Sequence, residues 1–514
     1  MKTGLPCVVL FFHLIVSNVW AADAVHTANQ PINIGSRLEL FVDDYLIERM
    51  VGASLKLHEP ISAGRAFVFD KEWEGNTSTY VTVFRDDNRF RMYYRGSNTA
   101  SYLPRSWLKP GEVVLPDHPS VIAMAESPDG IRWTRPSLGL YEFNGSKQNN
   151  IVWMDKPGEQ KVTDCMYVFR DANPAVPADQ RYKALGGNSY PLIALVSGDG
   201  KSWKQLQGQK SLISEGLHRN AFDALNVAFW DTRRNLYVAI FRDADTEPSR
   251  ESGSTETIVQ PNVNYGNRSF KYSTSPDFIH WSKPQWVDFG KAATEHLYTN
   301  AVTPYFRGVH LYLGFPKRFL PWRTVSSESP LPGVSEGVFM SSRDGLHWDR
   351  RFMETFLRPG RDKRNWLHRN NMVAAGVIPT ASDEMSLYAV RNYNFPTAHV
   401  ERLVLRTDGF VSVHAGYQSG ELLTKALTFE GETLILNYAT SASGSVRVEI
   451  QDLNGNPLPS FSLEDSPLIW GDEIERAVAW KPDRPLKTLA GKPVRLRFVL
   501  KDADLYAIRF GQVR

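Results

Sequence analysis

Cysteine is nearly absent from this 514-residue chain, which holds 2. Cys7 lies in an N-terminal apolar segment, so a processed chain keeps Cys165 alone and no internal disulfide is available to it. A small disulfide-stapled fold is therefore excluded, and burial of a core must hold the structure together. Charge of one sign is also missing: 59 Lys and Arg face 56 Asp and Glu, a net +3. Without a basic block, neither nucleic acid nor a membrane surface is an expected partner. Beyond the N-terminus no apolar run nears the roughly 20 residues that span a bilayer. The chain has no His-Glu-x-x-His, cysteine cluster, EF-hand loop, Walker loop or dinucleotide glycine fingerprint. Gly253-Ser254 and Gly444-Ser445 sit in turn-rich text, not in a strand-to-helix nucleophile elbow. Metal hydrolysis, nucleotide chemistry and serine-hydrolase chemistry thus lack a signal.

What the chain does have is apolar and aromatic material, 42% hydrophobic and 12% aromatic against 22% charged. That supports a large core and argues against disorder. Lys2 precedes an apolar run from Leu5 to Val16, with small residues at Ala21 and Ala22. This pattern predicts a signal peptide over 1–22, a secreted or periplasmic product, and no membrane attachment after its removal.

One phrase returns four times, as Ser127-Pro-Asp-Gly-Ile-Arg-Trp133, Ser197-Gly-Asp-Gly-Lys-Ser-Trp203, Ser275-Pro-Asp-Phe-Ile-His-Trp281 and Ser342-Arg-Asp-Gly-Leu-His-Trp348. Ser and Asp suit local hydrogen bonds to backbone, and the Trp packs the returning strand, so the phrase marks a structural turn. A second pattern, an acid ahead of two aromatic-rich strands, begins at Glu74, Asp164, Asp223 and Glu295, and once more at Asn370 without the acid. Five such units of about four short strands predict an all-β fold, a five-bladed β-propeller over 35–404. From 405 to 514 the alternation continues without the turn phrase and predicts a C-terminal β-sandwich. The strand-like stretch from Glu39 to Glu48 either closes the ring or starts the first blade.

In a propeller, residues leading into the innermost strands gather at one mouth of the central channel. Glu74, Asp164, Asp223 and Glu295 hold that position in four successive units and are the candidate catalytic acids. Converging carboxylates serve glycosidic-bond cleavage, one protonated for the leaving oxygen and one ionised. Candidate sugar-binding residues are Trp73 and Trp366 for stacking, and Asn226, His296 and His368 for hydroxyl groups. Arg95, Arg318 and Arg369 suit an anionic sugar substituent, because guanidinium pairs with planar anions. No cofactor is implied, although a structural cation such as calcium is compatible with a propeller channel.

On the repeated turn phrase and the acid-before-strand hairpins, the chain resembles the five-bladed propeller glycoside hydrolases of families 32 and 43, and especially secreted family-32-like proteins. The resemblance covers about Glu39 to Arg406. It implies a secreted glycoside hydrolase acting on a poly- or oligosaccharide, with Glu74 as nucleophile or base, Asp164 as stabiliser and Asp223 as general acid. The family-32 opening motif Trp-Met-Asn-Asp-Pro-Asn and its Glu-Cys pair are absent, which speaks against fructans. Phe169-Arg170-Asp171 superficially matches a family-32 triplet, but similar triplets end strands at Phe84 and Phe241, so it reads as hairpin structure. Two alternatives stand beside the hydrolase: a non-catalytic carbohydrate-binding propeller, and a sialidase-like hydrolase, which would need six blades.

Overall fold

The computed structural model describes residues 30–158, 161–189, 191–206, 217, 221–244, 267–325, 327, 332–480 and 485–512. The expected signal peptide at 1–22 and Gly253-Ser254 lie outside them. The chain is all-β, and each of the five expected hairpins is present as the inner pair of an antiparallel blade. Blade 1 runs Thr79–Asp86, Arg89–Asn98, His118–Ser127, Ile151–Met154, and blade 2 Tyr167–Arg170, Tyr182–Gly186, Ile193–Ser197, Lys204–Gln205. Blade 3 is Val227–Asp231, Leu236–Ala244, Arg268–Ser275, Gln285–Trp286, and blade 4 Thr303–Tyr305, Gly308–Gly314, Met340–Ser342, Trp348–Asp349. Blade 5 orders Met372–Val373, Glu384–Arg391 and His399–Arg406, and its outer strand is Ile61–Val68 from the other end of the chain. That exchange closes the ring. Five blades, not six, remove the architecture a sialidase-like enzyme requires.

Glu39 to Glu48 takes neither of its expected places. Glu39–Leu40 pairs with Arg495–Gly511, and Ile47–Val51 and Ala53–Leu57 pair with Gly420–Thr424 and Val411–Ala415. The N-terminal strands thus complete the C-terminal sheet before the chain enters the propeller. Two long strands, Thr433–Gln451 and Arg495–Gly511, organise that sheet and share a bulge between Thr440 and Ser445. It has its own apolar core, with Phe41, Leu422, Leu436, Val448, Phe498 and Phe510. Phe410 docks it on the ring by packing against Tyr305, Phe315 and Phe339. Beside this contact Arg343 reaches the buried Glu39 at 2.8 Å and Asp43 at 2.7 Å. Burial pushes the Glu39 carboxyl upward, but His310 at 3.3 Å and the charges of Arg343 and Arg37 prevail and hold it at about 2.

The repeated phrase is the turn its residues specify. In blade 1 the Ser127 hydroxyl accepts from the Gly130 N–H at 2.8 Å, and Asp129 accepts from the backbone of Ile131 and Arg132 at 2.9 and 2.8 Å. The other three copies repeat these bonds. The residue after the Asp has positive φ, which glycine adopts at three copies and Phe278 at the third, φ 68°. Phe278 offsets that strain by packing on Phe169, Tyr237 and Trp281.

At the ends of the inner strands a second device joins blades. Tyr182 donates to Asp86 at 2.7 Å, Tyr237 to Asp171 at 2.7 Å and Tyr312 to Asp231 at 2.5 Å, each from the blade that follows. Arg91 lies 2.9 Å from Asp86 and Lys183 2.5 Å from Asp171, and Arg234 pairs with Asp231. The Phe-Arg-Asp triplets at Phe84 and Phe169 supply the first two of these acids, so their structural reading is correct.

Candidate active site at the channel mouth

The chain reaches every inner strand from the same end of the ring. Asp164 and Cys165 precede the inner strand of blade 2, Asp223 that of blade 3, His296 and Tyr298 that of blade 4, and His368 and Arg369 that of blade 5. Blade 1 contributes Tyr80, which sits at a break in register between Thr79 and Thr82 with φ 54°. Returning strands bring Arg95 and Arg242 back to this mouth, Arg268 opens the third strand of blade 3, and a hairpin inserted in blade 4, Lys317–Leu320 with Val334–Gly337, adds Lys317. Phe222 and Arg369 also have positive φ, 71° and 68°. Strained backbone of this kind is concentrated at functional sites.

Contacts knit these side chains into one group. Asp223 lies 2.9 Å from Arg242 and accepts the Tyr298 hydroxyl at 3.1 Å. Asp164 accepts the Asn188 amide at 2.7 Å, and its carbonyl takes a bond from Arg95 at 3.2 Å. The Tyr393 hydroxyl accepts from both Arg95 and Arg369, each at 3.3 Å. Arg95 lies over Tyr80 at 5.0 Å, and Arg242 and Lys317 over Tyr298 at 4.8 and 4.1 Å. His296 Nδ1 accepts the Arg268 backbone N–H at 3.3 Å.

Among the described residues Arg95, Arg242, Arg268, Lys317 and Arg369 face Asp164 and Asp223. Burial, with the charges of Arg268 and Arg242, holds His296 down at about 3, which keeps it a neutral acceptor. Burial likewise pushes His368 well down, aided by Arg369 and Lys317. Burial lifts Tyr298 to about 12, and nearby Asp223 adds to it, so the phenol keeps its proton to donate. Burial, then Asp223, drives the Cys165 thiol far up, and this fully buried thiol is no nucleophile.

Not all the acids chosen from the sequence meet here. Asp164 and Asp223 do, but Glu74 is fully buried between Arg135 at 2.8 Å and the Tyr94 hydroxyl at 2.6 Å. Glu295 is held by Arg318 at 2.9 Å and Arg350 at 2.7 Å. Arg318 is occupied further by Glu336, at 2.5 Å. Arg95, His296, His368 and Arg369 belong to the mouth. Asn226 is turned inward, bonding the Phe222 and Ala224 carbonyls at 2.8 and 2.9 Å, and so shapes the loop that carries Asp223. Trp73 donates to Asn150 at 2.8 Å and packs on Phe143, and half-exposed Trp366 donates to the Gly360 carbonyl at 2.8 Å. Tyr80, Tyr298, Tyr393, Arg268 and Lys317 escaped sequence reading, because they sit outside the repeated acid position. Among the described residues no group of three or more His, Cys, Asp or Glu is placed to hold a metal ion.

No family model matches the chain, and no curated protein matches it. Solved structures similar to it include a glycoside hydrolase at 11% identity, covering 68% of this chain and 92% of that one, TM-score 0.45. The β-1,2-mannobiose phosphorylase of Listeria innocua is similar at 12% identity over 68% and 96%, TM-score 0.40. The family 43 arabinoxylan arabinofuranohydrolase of Bacillus subtilis is similar at 12% identity over 86% and 97%, TM-score 0.38.

Proposed function

We propose that the protein is an exported carbohydrate-active enzyme that hydrolyses a glycosidic bond at this mouth, with Asp164 and Asp223 as its carboxylates. The observation that carries the reading is that these two acids come from equivalent positions of successive blades and lie about the same buried Cys165. Asp223, beside the Arg242 guanidinium and under the Tyr298 hydroxyl, is assigned the role of base toward water. Asp164, whose described side-chain partner is the neutral Asn188 amide, is suited to deliver a proton to the leaving oxygen. The anomeric C–O bond breaks, water supplies the new C–O bond, and its proton passes to Asp223. Glu74 and Glu295, committed to ion pairs, support the blades.

The test is a screen of the purified protein against neutral and acidic glycans, reading released sugar beside Asp164→Asn and Asp223→Asn controls. Release that disappears in both controls supports the reading. Glycan binding without release from any substrate would favour the non-catalytic carbohydrate-binding propeller.

A further inference from the structure

At the end of the ring away from Asp164 and Asp223, all five blades contribute to one cavity of about 440 Å³. Alternate residues of a strand face one side, so blade 1 offers it Thr82 and Phe84, and blade 2 Tyr167 and Phe169. Half-buried Phe84, Trp230 and Pro304, with exposed Val309, carry its wall out to solvent. Phe84 is held against Tyr93 at 5.9 Å and Trp230 against Tyr237 at 4.8 Å, so both rings stand in place before any ligand arrives.

The charged side chains lining this cavity are Arg85, Arg170, Asp171 and Asp231, two of each sign. Arg170 lies 2.7 Å from Asp87, Asp171 lies 2.5 Å from Lys183, and Asp231 pairs with Arg234. Arg85 is exposed and donates to the Asp87 carbonyl at 3.0 Å. A charged ligand would therefore lose hydration without gaining a counter-charge. A sugar meets the same obstacle, because its many hydroxyls need partners, while Asp171 and Asp231 already accept tyrosine hydroxyls and the Thr303 hydroxyl donates to the Pro304 carbonyl at 3.2 Å. What the wall offers instead is apolar and aromatic surface, in a volume usual for a small-molecule site.

We infer that this cavity is a second binding site, separate from the proposed catalytic mouth, and that it takes a neutral, flat aromatic molecule between Phe84 and Trp230. The assignment does not rest on the proposed hydrolysis.

The experiment is isothermal titration calorimetry of the full protein with four probes: 2-naphthol, 2-naphthoate, decahydro-2-naphthol and methyl β-xyloside. The first two share a ring system and differ in charge, the third keeps the hydroxyl but is not flat, and the fourth is a neutral sugar. The expected result is one site for 2-naphthol, bound at least about tenfold more tightly than each of the other three. Trp230→Leu should keep an apolar wall but bring 2-naphthol and decahydro-2-naphthol to within about twofold of each other, a change that a merely structural tryptophan would not cause. Because Trp230→Leu can disturb folding, Val309→Glu at the exposed rim provides a second variant, and it should weaken 2-naphthol binding about fivefold or more. Absence of 2-naphthol binding, equal or tighter binding of 2-naphthoate or the xyloside, or 2-naphthol affinity unchanged in both variants would overturn the inference.

Discussion

At one end of the propeller channel Asp86, Asp171 and Asp231 each accept a tyrosine hydroxyl from the next blade and sit beside an Arg or Lys. At the other, Asp164 and Asp223 lie among buried cations and tyrosines, and Lys317 Nζ and His368 Nδ1 have no hydrogen-bond partner. The same inner strands build both ends. A cavity of about 440 Å³ at the first end, lined by Phe84, Tyr167, Phe169, Trp230 and Val309, is bounded by acids whose charges are already met. Electrostatic satisfaction separates the two ends: the matched end holds blades together, and the other, unmatched among the described residues, is the end to which the proposed chemistry is assigned.

The largest expected effect lies at the unmatched end. Asp223→Ala should lower kcat per folded molecule on a hydrolysed glycan about 10³-fold, beyond whatever stability is lost by leaving buried Arg242 without its carboxylate, and added azide or formate should restore part of the rate. An unaffected rate would remove Asp223 from the chemistry. At the matched end the effect should appear in stability instead. Asp171→Ala leaves the buried Lys183 without its partner, and urea denaturation should report a loss of about 3 to 5 kcal/mol, with kcat per folded molecule preserved. Glu74→Gln sharpens the contrast among the acids chosen from sequence. It should cost about 2 to 3 kcal/mol by weakening the Arg135 pair, again without a proportionate loss of kcat. A kcat loss as large as that of Asp223→Ala would return Glu74 to the catalytic set.

The smallest effect concerns the sheet docked on the ring. Glu39 has its folded pKa depressed to about 2 from an ordinary 4.5, so its stabilising contribution is complete above pH 4.5 and is lost as pH falls toward 2. Thermal unfolding across that range should show the loss, and Glu39→Gln should flatten this part of the profile. An unchanged profile in the variant would mean that other carboxylates dominate acid unfolding.

Much of the fold was legible because repetition is a one-dimensional signal. Four Ser-Asp turns and five hairpins have fixed chemistry, and the blades follow from them. The stretch Glu39 to Leu57 was not legible, since an alternating strand does not name its partner and its partners lie more than 350 residues away. The same holds for Ile61–Val68 as the closing strand. In the site, equivalent positions selected Asp164 and Asp223, which the fold brings to one end of the ring, together with Glu74 and Glu295, which it holds in ion pairs. Their neutralisation by Arg135, Arg318 and Arg350 depends on contacts from distant turns. Lys317 carried no pattern at all: a lysine between Pro316 and Arg318 reads as surface until its burial is known.

The central claim is that chemistry belongs to Asp164 and Asp223 and structure to Glu74 and Glu295. Its most direct test is the rate of sugar release by Asp164→Asn, Asp223→Asn, Glu74→Gln and Glu295→Gln on one cleaved glycan, normalised to folded protein. Losses of about 10²-fold or more confined to the two aspartate variants are predicted. Equal or greater losses in the two glutamate variants, with the aspartate variants active, would contradict the account.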